Sequence, residues 1–159
     1  MKKILISACL VGDKTNYKGK GNYHPLVDQL KLQYDLVLFC PEVEGGLKTP
    51  RLPNEIRGNQ VIRKDGKNVT DSFVSGAKKA LALCRYLGID TAVLKESSPS
   101  CGSSLIHDGR FIGHKIKGEG ITTRLLRENG IKVYSENEIE QLLKFIYMRS
   151  KITRLEMST

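Results

Sequence analysis

The sequence predicts an α/β protein, a Rossmann-like three-layer sandwich on a mostly parallel sheet. Short apolar, partly β-branched runs recur at Lys3–Ala8, Asp35–Phe39, Thr91–Leu94 and Ile131–Tyr134, separated by stretches of helical periodicity. Strands alternating with helices favour a parallel sheet covered on both faces. The chain has 159 residues, 40% hydrophobic and 27% charged, enough for one domain to bury a core without disulfides.

Each element follows from local chemistry. Lys3–Ala8 reads as a fully buried strand and is followed by a Gly-, Lys- and Asn-rich loop from Gly12 to Asn22. A helix is expected over Pro25–Gln33, with Pro25 in its first turn. Asp35–Phe39 is the second strand, and Pro41–Glu55, with three prolines and two adjacent glycines, reads as a structured loop. Asn59–Arg63 and Lys67–Val69 flank Asp65-Gly66, a hairpin signal. The longest helix is expected over Asp71–Leu87, capped by Thr70 or Asp71 and ended by Gly88. Its Phe73, Ala77, Ala80, Leu81, Cys84 and Leu87 share one apolar stripe, which places Cys84 in the core. Thr91–Leu94 is the third strand. Ser104–His107 and Arg110–Gly113 flank a second hairpin signal, Asp108-Gly109. A helix over Ile121–Glu128, a fourth strand, and a capping box at Ser135–Glu138 that opens the last helix complete the order. Residues 1–148 are expected to form one domain, and 149–159 a polar, fraying C-terminal tail.

No segment is long and apolar enough to span a bilayer. The start, MKKILISACLVG, has a short apolar stretch but lacks a small-residue cleavage site, so it reads as a strand and not a signal peptide. A cytoplasmic location and reduced cysteines are the corresponding expectations, with the cysteines as free thiols or metal ligands. The net charge of +9 is compatible with a phosphate-bearing or RNA partner and equally with a solvated surface; no nucleic-acid motif accompanies it.

Ligands of open parallel sheets bind beyond the carboxyl ends of the strands. Cys9, Cys40 and Cys101 each follow a different predicted strand, so the topology brings three thiols to one edge. Thiolates there suit zinc or an iron–sulfur cluster, while small buried residues at strand ends remain the plainer alternative. His107 or His114 could complete a Cys3His zinc site. Gly118-Glu119-Gly120 before a helix offers N–H groups to a phosphate or is an ordinary helix entry, and Lys14, Lys18, Lys20, Arg51 and Lys115 are cations that could lie near it. Glu42 is a candidate proton carrier or else a loop carboxylate that pairs with Arg51.

Several segments together carry a resemblance: Ser7-Ala8-Cys9-Leu10-Val11-Gly12; Cys40-Pro41-Glu42-Val43-Glu44-Gly45-Gly46-Leu47 with Pro50-Arg51; Ser98-Pro99-Ser100-Cys101-Gly102; and Gly118-Glu119-Gly120-Ile121-Thr122. From about Lys2 to Leu143 the chain resembles the small bacterial and archaeal family, long known as a domain of unknown function, that includes the thiouracil desulfidases. The resemblance implies a [4Fe-4S] cluster held by Cys9, Cys40 and Cys101. It implies non-redox removal of sulfur from a thiolated uracil, nucleoside or nucleotide, with water replacing the sulfur and hydrosulfide released. Glu42 and Ser98, with Ser100 as the neighbouring alternative, match the residues of proton transfer. Arg51, Gly118, Gly120 and Thr122 are the candidate substrate-binding residues. The rival functions are a cluster- or thiol-based redox sensor and a basic RNA-associated protein without catalysis.

Overall fold

A computed structural model describes residues 1–159, the side chain of Ile146 excepted. Four strands form one sheet: β1 (Lys2–Ser7), β2 (Tyr34–Phe39), β5 (Thr91–Leu94) and β8 (Lys132–Ser135), in the order β2-β1-β5-β8. All three pairings are parallel, with Leu5 opposite Val37 and Ala92, and Val93 opposite Tyr134. The central strands carry uninterrupted apolar runs because both faces are covered; Ile4, Leu5, Ile6, Ala92, Val93 and Leu94 are fully buried.

The pleat divides them between two cores. Leu5, Ala92 and Leu94 face a layer made by α3 (Thr70–Leu87) and α4 (Ile121–Glu128), where they meet Ala80, Cys84 and Leu126. Ile4, Ile6 and Val93 face the opposite layer of α1 (Val27–Leu30) and α5 (Ile139–Met157), where they meet Leu30, Ile139 and Leu142. The three-layer sandwich is thus the expected one, and Cys84 lies inside it. From β1 the chain passes to β2 on one side and later returns to β5 on the other. The carboxyl end of β1 is therefore a topological switch point, where a crevice opens between diverging connections.

Gly88 ends α3 in the left-handed conformation, and the Ser135–Glu138 capping box forms as expected, with Asn137 N donating to Ser135 Oγ and Ser135 N to Glu138 Oε1. Neither Thr70 nor Asp71 caps α3. Asn68 Oδ1 accepts the Thr70 N–H at 3.0 Å, and the Thr70 hydroxyl accepts from Val61 N at 2.9 Å, which ties the helix to the preceding strand.

The first hairpin forms with an added strand, and the second differs from expectation. The first pairs β3 (Asn54–Arg57) with β4 (Gln60–Arg63) through Gly58-Asn59, and Gly58 supplies the left-handed backbone. Asp65-Gly66 turns the chain as expected, with Arg63 N donating to the Lys67 carbonyl, Val69 N to the Val61 carbonyl, and Ile62 bridging Asn68. The second pairs β6 (Leu105–His107) with β7 (Lys115–Lys117), not with Arg110–Gly113. The physical reason is Glu55, whose Oε1 accepts the N–H groups of Gly109 and Phe111 at 2.9 and 3.2 Å and draws that segment onto β3. The supposed loop Pro41–Glu55 opens with a helical turn, α2 (Pro41–Glu44), and its last two residues begin β3. Helix α5 continues through Met157, past the point where the tail was expected to begin.

Candidate active site and metal centre

Three strand ends deliver the three thiols. Cys9 sits in the 3-10 turn that follows β1, and its carbonyl accepts the N–H groups of Gly12 and Asn22. Cys40 occupies the extended position before α2, with Pro41 opening that helix. Cys101 lies in the loop after β5. All three line a cavity of about 340 Å³ at the switch point, and all are free.

Close backbone packing on the α3–α4 side holds the Cys40 and Cys101 segments in place. Gly76 lets α3 approach α2 so closely that a Cβ there would stand 1.9 Å from the Pro41 carbonyl oxygen. Gly120 plays the same part for Cys101, since a Cβ would meet Ser100 O at 2.3 Å and Cys101 N at 2.7 Å. Glu96 organises the rest of that loop. Its carboxylate accepts the N–H groups of Ser97, Ser103, Ser104 and Leu105 and the hydroxyls of Ser103 and Ser104. Burial alone would push the Glu96 carboxyl up, but these hydrogen bonds outweigh it and hold it at about 2.

A small hydrogen-bonded group faces the thiols. Ser98 Oγ donates to Glu42 Oε2 at 3.2 Å and accepts the N–H groups of Ser100 and Cys101. Arg51 Nε donates to Glu42 Oε1 at 3.3 Å, and its NH2 group donates to the Thr15 carbonyl at 3.0 Å. The ion pair is largely enclosed, the Arg51 and Glu42 side chains being 8% and 14% exposed. Ser7 Oγ accepts Lys95 N–H at 2.9 Å and points its own proton at Cys101 Sγ, 3.7 Å away. Lys95 Nζ pairs with Glu136 at 2.9 Å, leaving its stem along the cavity wall.

Burial pushes the Cys9, Cys40 and Cys101 thiols up, most of all at Cys101, where the charges of Cys40 and Glu42 add to it. A metal must displace those protons to bind. Among the described residues, no three His, Cys, Asp or Glu side chains converge as the ligands of a single ion, which argues against the Cys3His zinc alternative. Three free thiols on one cavity wall, Cys9 and Cys101 buried and Cys40 half-buried, are a donor set that fits a polynuclear iron–sulfur cluster.

The expected site residues divide into two groups. Cys9, Cys40, Cys101, Glu42, Ser98 and Arg51 are brought together on the cavity wall. Ser100, Gly118, Gly120 and Thr122 are not. Ser100 and Thr122 are fully buried and hydrogen-bonded to each other at 2.8 Å. The N–H groups of Gly120, Ile121, Thr122 and Thr123 are given to the carbonyls of Gly102, Pro99 and Ser100. The start of α4 therefore staples the Cys101 loop, and its N–H groups are not offered to a phosphate. Residues that the sequence left unassigned also reach the wall: Asn54 and Glu55 at the start of β3, and Lys95 and Glu96 after β5. Lys95 and Glu96 directly follow an apolar strand, a position that could have flagged them. His107 and Lys115 from the second hairpin line it too. Asn54 Oδ1 is buried without any hydrogen-bond partner, a condition that costs about 1–3 kcal/mol.

Comparison with known proteins agrees with this geometry. A solved structure described as a [4Fe-4S]-dependent thiouracil desulfidase, TudS, superposes with a TM-score of 0.87 at 45% identity, covering 93% of this chain and 99% of that one. The uncharacterized protein YbbK of Bacillus subtilis (strain 168) is 38% identical over 150 residues, 88% of this chain and 99% of its own. The 2-thiouracil desulfurase family matches residues 4–138, so the chain belongs to the 2-thiouracil desulfurase family.

Proposed function

We propose that this protein removes sulfur from a thiolated uracil, nucleoside or nucleotide without net redox change, exchanging the thiocarbonyl for a carbonyl with water and releasing hydrosulfide. The observation that carries the reading is the joint placement of three thiols and the Ser98–Glu42–Arg51 group on one cavity wall. Cys9, Cys40 and Cys101 would hold a [4Fe-4S] cluster. Bound through three protein ligands, such a cluster supplies an iron open to the sulfur of the substrate, a Lewis acid for the departing atom.

The chain's own groups supply the proton chemistry. Attack of water on the thiocarbonyl carbon needs a base, and the ring needs a proton where charge develops. Glu42 is held from both sides, by the Arg51 guanidinium on Oε1 and the Ser98 hydroxyl on Oε2. In that position the carboxylate takes a proton from water, and the Ser98 hydroxyl relays one between Glu42 and the substrate. Arg51 is committed to Glu42 and Thr15 and therefore orients the base. Lys115, on the outer hairpin, is the cation best placed for a substrate phosphate.

The test is turnover by protein loaded with iron and sulfide in the absence of oxygen, offered 2-thiouracil, 4-thiouridine and 4-thiouridine monophosphate. Loss of thiocarbonyl absorbance with hydrosulfide release supports the reading, and the ranking of the three identifies the substrate. A stable cluster with no turnover of any of them overturns the catalytic reading in favour of a sensing role.

A further inference from the structure

Asn54 is the first residue of β3 and lies on the wall of the thiol-lined cavity. It is 8% exposed, and its Oδ1 is the one buried side-chain oxygen or nitrogen without a partner among the described residues. Everything around it is satisfied. The Glu55 carboxylate next in sequence takes two backbone N–H groups, Arg57 Nε reaches the Gly109 carbonyl at 2.6 Å, and the strand pairs with β4 from Asn54 through Arg57. A buried acceptor left open in such a framework is costly and therefore calls for an explanation in function.

We propose that the Asn54 carboxamide is a specificity-determining group that accepts the N3–H of a uracil-type ring and so selects thiolated pyrimidines with an unsubstituted imide nitrogen. This inference rests on the proposed function. N3 stands between C2 and C4, so the same N–H adjoins the thiocarbonyl whichever carbon carries the sulfur. An amide matches that edge, with an oxygen to accept N3–H and an NH2 to donate to a flanking carbonyl. The terminal torsion of Asn is broad, so the amide is free to turn its plane to a ring edge in the cavity. A site built around a hydrogen bond rejects an analogue that cannot make it, because the polar group is then left unpaired.

The experiment compares 2-thiouracil with 3-methyl-2-thiouracil in cluster-loaded wild type and Asn54→Leu, a substitution that keeps the bulk and removes the hydrogen bond. The wild type is expected to prefer the unmethylated compound by about 100-fold or more in kcat/KM. In Asn54→Leu the two rates fall within a few-fold of each other, through slower turnover of 2-thiouracil, while the visible cluster spectrum is unchanged. The same variant is expected to melt at a higher temperature, since it removes an unpaired buried oxygen. Retention of the wild-type preference in Asn54→Leu overturns the proposal, as does a lowered melting temperature with the preference intact. If the wild type consumes neither compound but turns over 4-thiouridine or its monophosphate, the comparison is made with that substrate and its 3-methyl form; if it turns over none of them, the proposed function fails, and calorimetric binding of uracil against 3-methyluracil decides Asn54 alone. A preference present in wild type and lost in Asn54→Leu upholds the inference, and no preference in wild type overturns it.

Discussion

Ser98 and Glu42 stand 56 residues apart in sequence and meet at 3.2 Å, hydroxyl to carboxylate, on the wall that carries the three thiols. Glu42 stands on α2 beyond β2 and Ser98 in the loop beyond β5, two residues after Cys40 and three before Cys101 respectively. Glu42→Gln is expected to lower kcat by about 100- to 10,000-fold with KM little changed, because proton transfer contributes that much. Ser98→Ala acts through the same relay, so the double variant should be little worse than the poorer single one. Steady-state rates on cluster-loaded protein check this; additive losses would separate the two residues.

The cysteines are expected to divide three to one. Cys9→Ser, Cys40→Ser and Cys101→Ser should each lose bound iron and turnover. Cys84 faces the α3–α4 core, where burial pushes its thiol up to about 11. Cys84→Ala should therefore keep iron and activity, at a cost in stability of about 1 kcal/mol from the lost buried volume. Iron analysis with chemical unfolding checks both statements.

Gly76 offers a test whose sign is diagnostic. In an ordinary helix interior, Gly→Ala stabilises by roughly 0.5–1 kcal/mol. Here the new Cβ would press on the Pro41 carbonyl at 1.9 Å. Gly76→Ala should instead destabilise by about 1–3 kcal/mol. It should also reduce iron binding, because the displaced turn carries Cys40 and Glu42. Urea unfolding together with bound iron reads this.

Glu96 links the Cys101 loop to pH. Its folded-state value of about 2 lies below the ordinary 4.5, so its stabilisation is fully present above 4.5 and is lost as pH falls toward 2. Between pH 6 and pH 3 the wild type should lose about 2 kcal/mol more stability than Glu96→Gln does. Unfolding curves at the two pH values measure the difference, and equal losses would assign the acid sensitivity elsewhere.

The sheet and its thiol edge were legible because they rest on strong local signals. Buried runs such as Lys3–Ala8 and Thr91–Leu94 have no competing period, and a parallel sheet sends their carboxyl ends to one side. The hairpins were less legible. Asp108-Gly109 is a turn signal in isolation, yet the outcome depends on the Glu55 carboxylate, which lies 54 and 56 residues before the Gly109 and Phe111 N–H groups it binds. The phosphate reading of Gly118-Glu119-Gly120 gave way for the same reason. The carbonyls that occupy those N–H groups belong to Pro99, Ser100 and Gly102, which only the folded Cys101 loop brings there. Asn54 was invisible because an unpartnered oxygen is a property of the packed state.

The most direct test of the central claim is a single anaerobic measurement: protein-bound iron, and hydrosulfide released per thiocarbonyl consumed, in wild type and Cys101→Ser with no added reductant. The account predicts about four irons per wild-type chain and hydrosulfide equal to the thiocarbonyl lost, with neither in the variant. Equal turnover by the iron-free variant, or a wild type that takes up no iron after loading, would contradict it.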